Sequence, residues 1–189
     1  MKVGLLCVAI GALLVSSPAP TTRLPRPPET RTLPLELTLR ADRNVYKMSD
    51  TLRLETQLQN VSEEDVYIWE WDMCWNPARG LSMSIIGADG KYVQSRILLD
   101  CVPSPPRQGN PYQFVKLAPG SFYGRSEDFK LKDFLNKPGE YDVSATFNSF
   151  LSSKWVAQFL EGEPISKLSL WTMEHPTVSS MRIRIVVKP

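Results

Sequence analysis

The sequence predicts an all-β domain built as a β-sandwich of two sheets. Short runs of alternating apolar and polar residues recur along the chain, and turn-forming residues separate them at the spacing typical of a sandwich. Pro119-Gly120 and Pro138-Gly139 each join a residue with a preset φ to one that tolerates a positive φ, which predicts a β-hairpin between them. No long helical periodicity competes with this interpretation, and an open barrel is the alternative architecture.

The alternation assigns most of the chain to short strands. It predicts strands over residues 35–40, 51–60, 66–72, 81–85, 91–99, 113–117, 122–129, 141–148 and 181–187. One helical turn is expected at residues 131–135. Two apolar stretches, residues 154–160 and 165–171, fit a helix or a strand equally well.

The first 34 residues predict export. Lys2 is followed by an apolar run of 13 residues from Val3 to Val15 and then by small residues, which is the order of a secretory signal peptide. We assign residues 1–19 to this signal, residues 20–34 to a proline-rich linker and residues 35–189 to a single domain. The expected location is secreted, periplasmic or at the cell surface, with membrane attachment only if the signal is not cleaved.

Two cysteines remain after the signal, and an oxidising compartment favours a disulfide between them. A bridge between Cys74 and Cys101 would close a loop of about 28 residues and stabilise the fold by about 3.5 kcal/mol. Two separate buried thiols are the alternative. No metal site is expected, because these cysteines and the single histidine, His175, do not complete a tetrahedral ligand set.

Composition and motifs argue against nucleic-acid binding and catalysis. The net charge is +2 and the charged residues are interleaved, which gives no electrostatic case for nucleic acid. His175 is the only histidine, and neither a Gly-x-Ser-x-Gly elbow nor a His-Glu-x-x-His motif is present. We therefore expect a protein that is not an enzyme and that has no cofactor.

The densest cluster of unusual side chains is aromatic: Tyr67, Trp69, Trp71 and Trp75. On a strand, residues at i, i+2 and i+4 share one face, and a row of flat rings can bind sugars or apolar side chains. The same rings could instead form a core packed on the disulfide. We predict that Trp69 is buried and that Trp75 is exposed.

Several of these segments resemble a known family. Gln59-Asn60-Val61-Ser62, Leu117-Ala118-Pro119-Gly120 and the strand start Pro138-Gly139-Glu140-Tyr141-Asp142-Val143 are similar to bacterial immunoglobulin-like sandwich domains, including the proteinase-inhibitor type of bacilli. The resemblance covers residues 35–148 and the last strand, and it implies an immunoglobulin-like two-sheet β-sandwich. The surroundings of Cys74 and Cys101 and residues 150–176 depart from the pattern.

The function predicted from these observations is binding without catalysis. An exported domain would recognise a protein or an extracellular polymer through its loops at residues 72–80 and 101–111. An extracytoplasmic proteinase inhibitor is one alternative, and a carbohydrate-binding or structural accessory domain at the cell surface is another. Asn60-Val61-Ser62 also matches the N-glycosylation pattern, which matters only in a eukaryotic host.

Overall fold

The computed structural model describes residues 33–76, 79–93 and 104–189. Within these ranges the protein is mainly β, as predicted, with ten strands in three sheets. The strands are β1 (Leu35–Ala41), β2 (Val45–Lys47), β3 (Thr51–Asn60), β4 (Val66–Trp69), β5 (Gly80–Gly87), β6 (Phe114–Leu117), β7 (Phe122–Lys130), β8 (Gly139–Asn148), β9 (Val178–Ser179) and β10 (Ile183–Lys188). The proposed signal peptide lies outside the described residues. None of the helices described has the length and the apolar run needed to cross a bilayer.

Two larger sheets carry most of these strands. One has the order β1-β3-β7, with every neighbour antiparallel. The other has the order β2-β10-β8-β5. The short strand β9 pairs with Thr146 and Phe147 of β8, farther along that strand than β10 does. The short strand β2 runs parallel to β10, so the first part of the chain contributes a strand to each sheet.

Both larger sheets contribute to one apolar core. Leu54 and Leu58 of β3 and Val143 and Phe147 of β8 are completely buried, and all four belong to the same cluster. Their polar neighbours along each strand point outward, because successive side chains of a strand face opposite sides. Each such side chain contributes about 1.5–3 kcal/mol when it leaves water.

The predicted hairpin between the two Pro-Gly pairs is wrong. Strands β7 and β8 lie in different sheets, and the chain crosses between them through one helical turn, α1 (Leu131–Phe134). The buried residues Leu131 and Phe134 of this turn pack into the core and redirect the chain. At the end of the crossing, the Tyr141 hydroxyl donates a hydrogen bond of 2.7 Å to the carbonyl of Lys137.

Replacing Tyr141 by phenylalanine tests how much this hydroxyl stabilises the crossing. Tyr141→Phe removes only the bond to Lys137 and keeps the buried ring, so we expect unfolding free energy to fall by about 1–2 kcal/mol. Urea unfolding followed by tryptophan fluorescence measures it. Tyr123→Phe, at a residue 36% exposed, is the matched control; an equal loss in both variants would contradict the proposed contribution.

A second, smaller apolar cluster lies beside the main core. It joins the two-stranded sheet of β4 and β6 to residues 151–170. The stretch at residues 154–160, which fitted a helix or a strand, lies mostly in a helix, α2 (Ser153–Phe159). Its buried members are Trp69, Phe114, Leu151, Leu160 and Leu170. The backbone N–H of Trp171 donates to the carbonyl of Tyr67 at 2.7 Å, which attaches this segment to β4.

Candidate functional site

The aromatic row predicted for residues 67–75 is not formed. Strand β4 ends at Trp69, and Glu70–Met73 is a 3₁₀ turn, so the predicted strand through Asp72 is too long. Trp69 is buried as predicted, whereas the prediction that Trp75 is exposed is wrong, since it is 3% exposed. Trp71 is 37% exposed and Tyr67 is half-buried. We therefore do not propose a ligand-binding role for Trp69 and Trp75.

The two buried tryptophans belong to different cores. Trp69 packs edge-to-face against Trp155 of α2, with ring centroids 5.9 Å apart. Trp75 packs in the same manner against Phe129 of β7 at 5.3 Å. The 3₁₀ turn separates them, so residues that alternation would place on one face reach opposite sides of the segment.

Asp72 fixes this turn. Its carboxylate is fully buried and accepts hydrogen bonds from the Ser149 hydroxyl at 2.7 Å, the Phe150 N–H at 2.7 Å and the Trp69 N–H at 3.3 Å. Burial raises the pKa of Asp72 to about 7, although all three donors favour the charged form. Asp72 thus ties the turn to the end of β8.

The first predicted recognition loop, residues 72–80, is largely internal. Cys74 is 5% exposed and Asn76 is 7% exposed. Gly80 has a φ of +70°, and a Cβ there would lie 2.7 Å from the Cys74 carbonyl oxygen, so only glycine fits. Cys101 lies outside the described residues, and its bridge to Cys74 stays a prediction that mass spectrometry of the unreduced protein would test.

The glycosylation pattern at Asn60 coincides with a buried structural residue. Asn60 is fully buried, and its side-chain amide donates to the carbonyls of Glu64 at 2.7 Å and Leu117 at 2.8 Å. Its side-chain oxygen accepts from the Ser62 N–H and hydroxyl. The nitrogen that a glycan would modify is therefore already occupied in the folded protein.

The second predicted loop is largely exposed in its described part. Residues 107–112, here called the Tyr112 loop, are all exposed, and Tyr112 is 89% exposed. Gln113, which is 5% exposed, holds the loop: its side-chain oxygen accepts the Arg107 N–H at 2.9 Å and its amide donates to the Arg107 carbonyl at 2.7 Å. The loop is therefore pre-organised.

Two further hydrogen bonds and one apolar contact rigidify the Tyr112 loop. The Asn110 side chain accepts the Tyr112 N–H at 3.2 Å, which caps a short 3₁₀ turn beginning at Pro111. The Gly109 N–H donates to the Glu163 carboxylate at 3.2 Å, which links the loop to the segment after α2. Phe114, immediately after Gln113, anchors the loop in the second apolar cluster.

Substitution of Gln113 tests this clamp. Gln113→Ala removes both hydrogen bonds to Arg107, so we expect trypsin to cut after Arg107 at least about tenfold faster, corresponding to at least about 1.4 kcal/mol of lost local stability. Peptide mass spectrometry over a digestion time course measures the rate. Tyr112→Ala is the control and should leave it unchanged; equal rates in Gln113→Ala and the native chain would contradict the clamp.

An open groove lies on the other side of the segment that contacts the Tyr112 loop. It has a volume of about 700 Å³ and runs between α2 and residues 161–175. The residues that line it are Ser153, Val156, Ala157, Glu161, Gly162, Ser166, Leu168, Leu170, Thr172 and His175. The His175 ring stacks on the buried Trp171 at 4.4 Å, and its Nδ1 accepts the Thr172 N–H at 3.0 Å. These contacts give His175 a structural role in shaping the groove.

Neither the groove nor the loop assembles a metal site. Among the residues that the structure describes, no three histidine, cysteine, aspartate or glutamate side chains lie close enough to hold a metal ion. Glu174 precedes His175 in the chain but does not line the groove; its carboxylate accepts the Ser153 N–H at 3.1 Å and so fixes the start of α2.

Comparison with known proteins identifies no family for this chain. No family model matches the sequence, and no curated protein sequence matches it. The sporulation control protein Spo0M of Bacillus subtilis is similar at a TM-score of 0.43 and 10% identity, over 84% of this chain and 51% of that one. The CARDB domain of a Pyrococcus furiosus protein is similar at a TM-score of 0.36 and 9% identity, over 81% of this chain and 91% of that one.

A β-glucosidase from Erythrobacter marinus is similar at a TM-score of 0.39 and 14% identity. The match covers 82% of this chain and spans only 15% of the glucosidase. Likenesses at these scores carry no information about activity or ligand.

The sequence predicted residues 107–111 only as part of an irregular proline-rich loop over residues 101–111, and it did not single out Tyr112. Gly109-Asn110-Pro111 is a turn signal, and it marks the tip of the loop correctly. Nothing in the sequence distinguishes Gln113 from an exposed glutamine, because its role depends on which backbone groups the fold brings beside it.

Proposed function

We propose that this chain is an exported, non-catalytic immunoglobulin-like domain that binds a protein partner through the Tyr112 loop. The observation that carries the proposal is the buried Gln113 clamp beneath an exposed tyrosine. Tyrosine is enriched at binding hot spots, and a loop held in one conformation loses less entropy on binding. Export rests on the signal-like residues 1–19.

The immunoglobulin-like assignment is supported by strand order. In such domains the first, second, fifth and fourth strands form one sheet, while the third, sixth and seventh form the other. The orders β1-β3-β7 and β10-β8-β5 match this scheme in every strand but the fourth when the short strands are set aside. Tyr141, bonded back to Lys137 at the start of β8, has the geometry of the tyrosine corner of these domains.

Partner capture with matched variants tests the proposal. The purified chain, Tyr112→Ala and Phe122→Ala are immobilised and exposed to the extracellular fraction of the producing cells; Phe122 is a second exposed aromatic residue, 60% exposed, in β7. We expect one protein to be retained by the native chain and by Phe122→Ala. Its affinity, measured with the purified partner, should fall at least about 30-fold in Tyr112→Ala.

Two results would contradict the proposal. Retention of the partner by Tyr112→Ala with unchanged affinity would exclude the loop as the binding site. Equal loss in Tyr112→Ala and Phe122→Ala would indicate nonspecific adhesion of aromatic surface.

A proteinase inhibitor is a second candidate, favoured by the same rigid loop. Arg107 and Tyr112 are exposed residues of the types that trypsin-like and chymotrypsin-like clefts accept. Titration of the chain against trypsin, chymotrypsin and subtilisin tests it. Stoichiometric inhibition abolished by Arg107→Ala or Tyr112→Ala would support the candidate, whereas rapid cleavage without inhibition would exclude it.

A further inference from the structure

A second concave site lies apart from the Tyr112 loop and shares no residue with it. It is an open cavity of about 780 Å³ between the turn after β5 and the crossing from α1 to β8, here called the Tyr92 cavity. The residues that line it are Gly87, Asp89, Lys91, Tyr92, Val93, Lys132, Asp133, Phe134, Leu135, Asn136, Lys137 and Tyr141. Phe134, Leu135 and Tyr141 are almost completely buried, so their side chains form an apolar floor.

The polar side chains around this floor are unengaged. Lys91, Lys132 and Lys137 are exposed, and across the described ranges none of their ammonium groups has a hydrogen-bond or ion-pair partner. Asp133 and Asn136 are likewise exposed and unpaired within the described residues. Within the described ranges, the rim therefore holds three unpaired ammonium groups and one unpaired carboxylate, that of Asp133.

The one other carboxylate of the cavity is already occupied. Asp89 accepts the Lys91 N–H at 3.1 Å, which stabilises the turn after β5. This bond orients the turn without neutralising a lysine side chain. Asp89 keeps its charge, so three lysines and two aspartates give the cavity a net charge of +1, which favours an anion.

Tyr92 presents a flat ring at the mouth of the cavity. It is 73% exposed, yet its backbone is held, because Tyr92 pairs with Ile86 of β5 and the Val93 N–H donates to the Ile85 carbonyl at 2.9 Å. A rigidly based aromatic ring with one free face is suited to stacking on a sugar ring. An acidic peptide would need only the lysines and not this ring.

We propose that the Tyr92 cavity binds an acidic polysaccharide, in which one sugar ring stacks on Tyr92 while carboxylate groups pair with the lysine ammonium groups of the rim. The volume of about 780 Å³ falls within the range of small-molecule sites and accommodates a short segment of chain. The stacking and the ion pairs require different side chains, so each part is separately testable.

Calorimetric titration with oligogalacturonate tests the proposal on the purified full chain. A neutral maltooligosaccharide of the same length and polyglutamate are titrated in parallel. We expect binding of oligogalacturonate that weakens as salt is raised, weaker binding of polyglutamate and no binding of the neutral sugar.

Variants assign the contacts. Tyr92→Ala should weaken oligogalacturonate binding roughly three- to tenfold and leave polyglutamate unaffected. The double variant Lys132→Gln, Lys137→Gln should weaken both ligands about fivefold. Phe122→Ala and Lys154→Gln, an exposed aromatic residue and an exposed lysine outside the cavity, are the matched controls and should bind as the native chain does.

Three results would overturn the proposal: no oligogalacturonate binding at low salt, equal affinity for polyglutamate with no effect of Tyr92→Ala, or equal weakening by Lys154→Gln. The second result would identify an acidic peptide surface, and the third would identify a general attraction of polyanions. Thermal unfolding of each variant confirms that the fold is retained.

Discussion

Asp72→Ala is expected to lower the unfolding free energy by about 4 kcal/mol. The substitution leaves three donors, the Ser149 hydroxyl and the N–H groups of Phe150 and Trp69, without an acceptor in a fully buried position. Each unpaired buried donor costs about 1–3 kcal/mol. Water that enters the space left by the carboxylate reduces part of this cost. Urea unfolding at constant pH measures the loss.

The same carboxylate should make stability depend on pH. The folded-state pKa of about 7 lies above the ordinary aspartate pKa of 3.8, so between these pH values the folded protein holds a proton that the unfolded chain has released. The contribution of Asp72 is therefore complete below pH 3.8 and is lost as the pH rises towards 7. The slope is at most about 1.4 kcal/mol per pH unit.

Asp72→Asn isolates this effect. Asparagine keeps the shape and an acceptor for the Phe150 N–H but does not titrate, so its unfolding free energy should lack the decline between pH 4 and 7. Subtracting the unfolding free energy of this variant from that of the native chain at each pH removes the contributions of the other titrating groups. A decline of the same size in both proteins would show that Asp72 is not its source.

Asn60→Asp is expected to lower the unfolding free energy by about 3–5 kcal/mol at neutral pH. The change places a carboxylate oxygen against the carbonyl oxygens of Glu64 and Leu117, where an amide now donates to both. Burial of an uncompensated charge is among the most destabilising single changes. The midpoint of urea unfolding measures the loss.

Ser62→Ala is the matched control for Asn60→Asp. It also destroys the glycosylation pattern, but it removes only the contacts of one partly exposed hydroxyl, at an expected cost of about 1 kcal/mol. Similar losses in the two variants would contradict a structural role for the Asn60 amide. Expression in a eukaryotic host should yield folded protein without a glycan at Asn60, because its amide is buried.

Alternation identified the long strands well. The predicted strand at residues 51–60 coincides with β3, and that at residues 141–148 lies within β8. Both strands have one buried and one solvent-facing side, which is the condition under which sequence alternation reports structure. The helical turn at residues 131–135 was also predicted from sequence.

Prediction failed where a segment is covered on more than one side. Residues 66–72 alternate like a strand, but Trp69 and Asp72 are both buried, and the chain turns at Glu70 to place them in different surroundings. The sequence also did not show which strands pair with each other. Local turn chemistry suggested a hairpin, whereas packing of Leu131 and Phe134 carries the chain to the other sheet.

The sequence by itself determined the β class, the strand spacing and an irregular proline-rich loop, because these follow from local periodicity and turn residues. Only the tertiary structure decided which tryptophans are buried, that Gln113 clamps the Tyr112 loop and that Lys91, Lys132 and Lys137 share one cavity. The buried tryptophans and the cavity join residues distant in sequence, and their contacts depend on sheet pairing, which a local pattern does not encode. The Gln113 clamp spans only six residues, but it depends on the bend of the loop, which the sequence pattern did not predict.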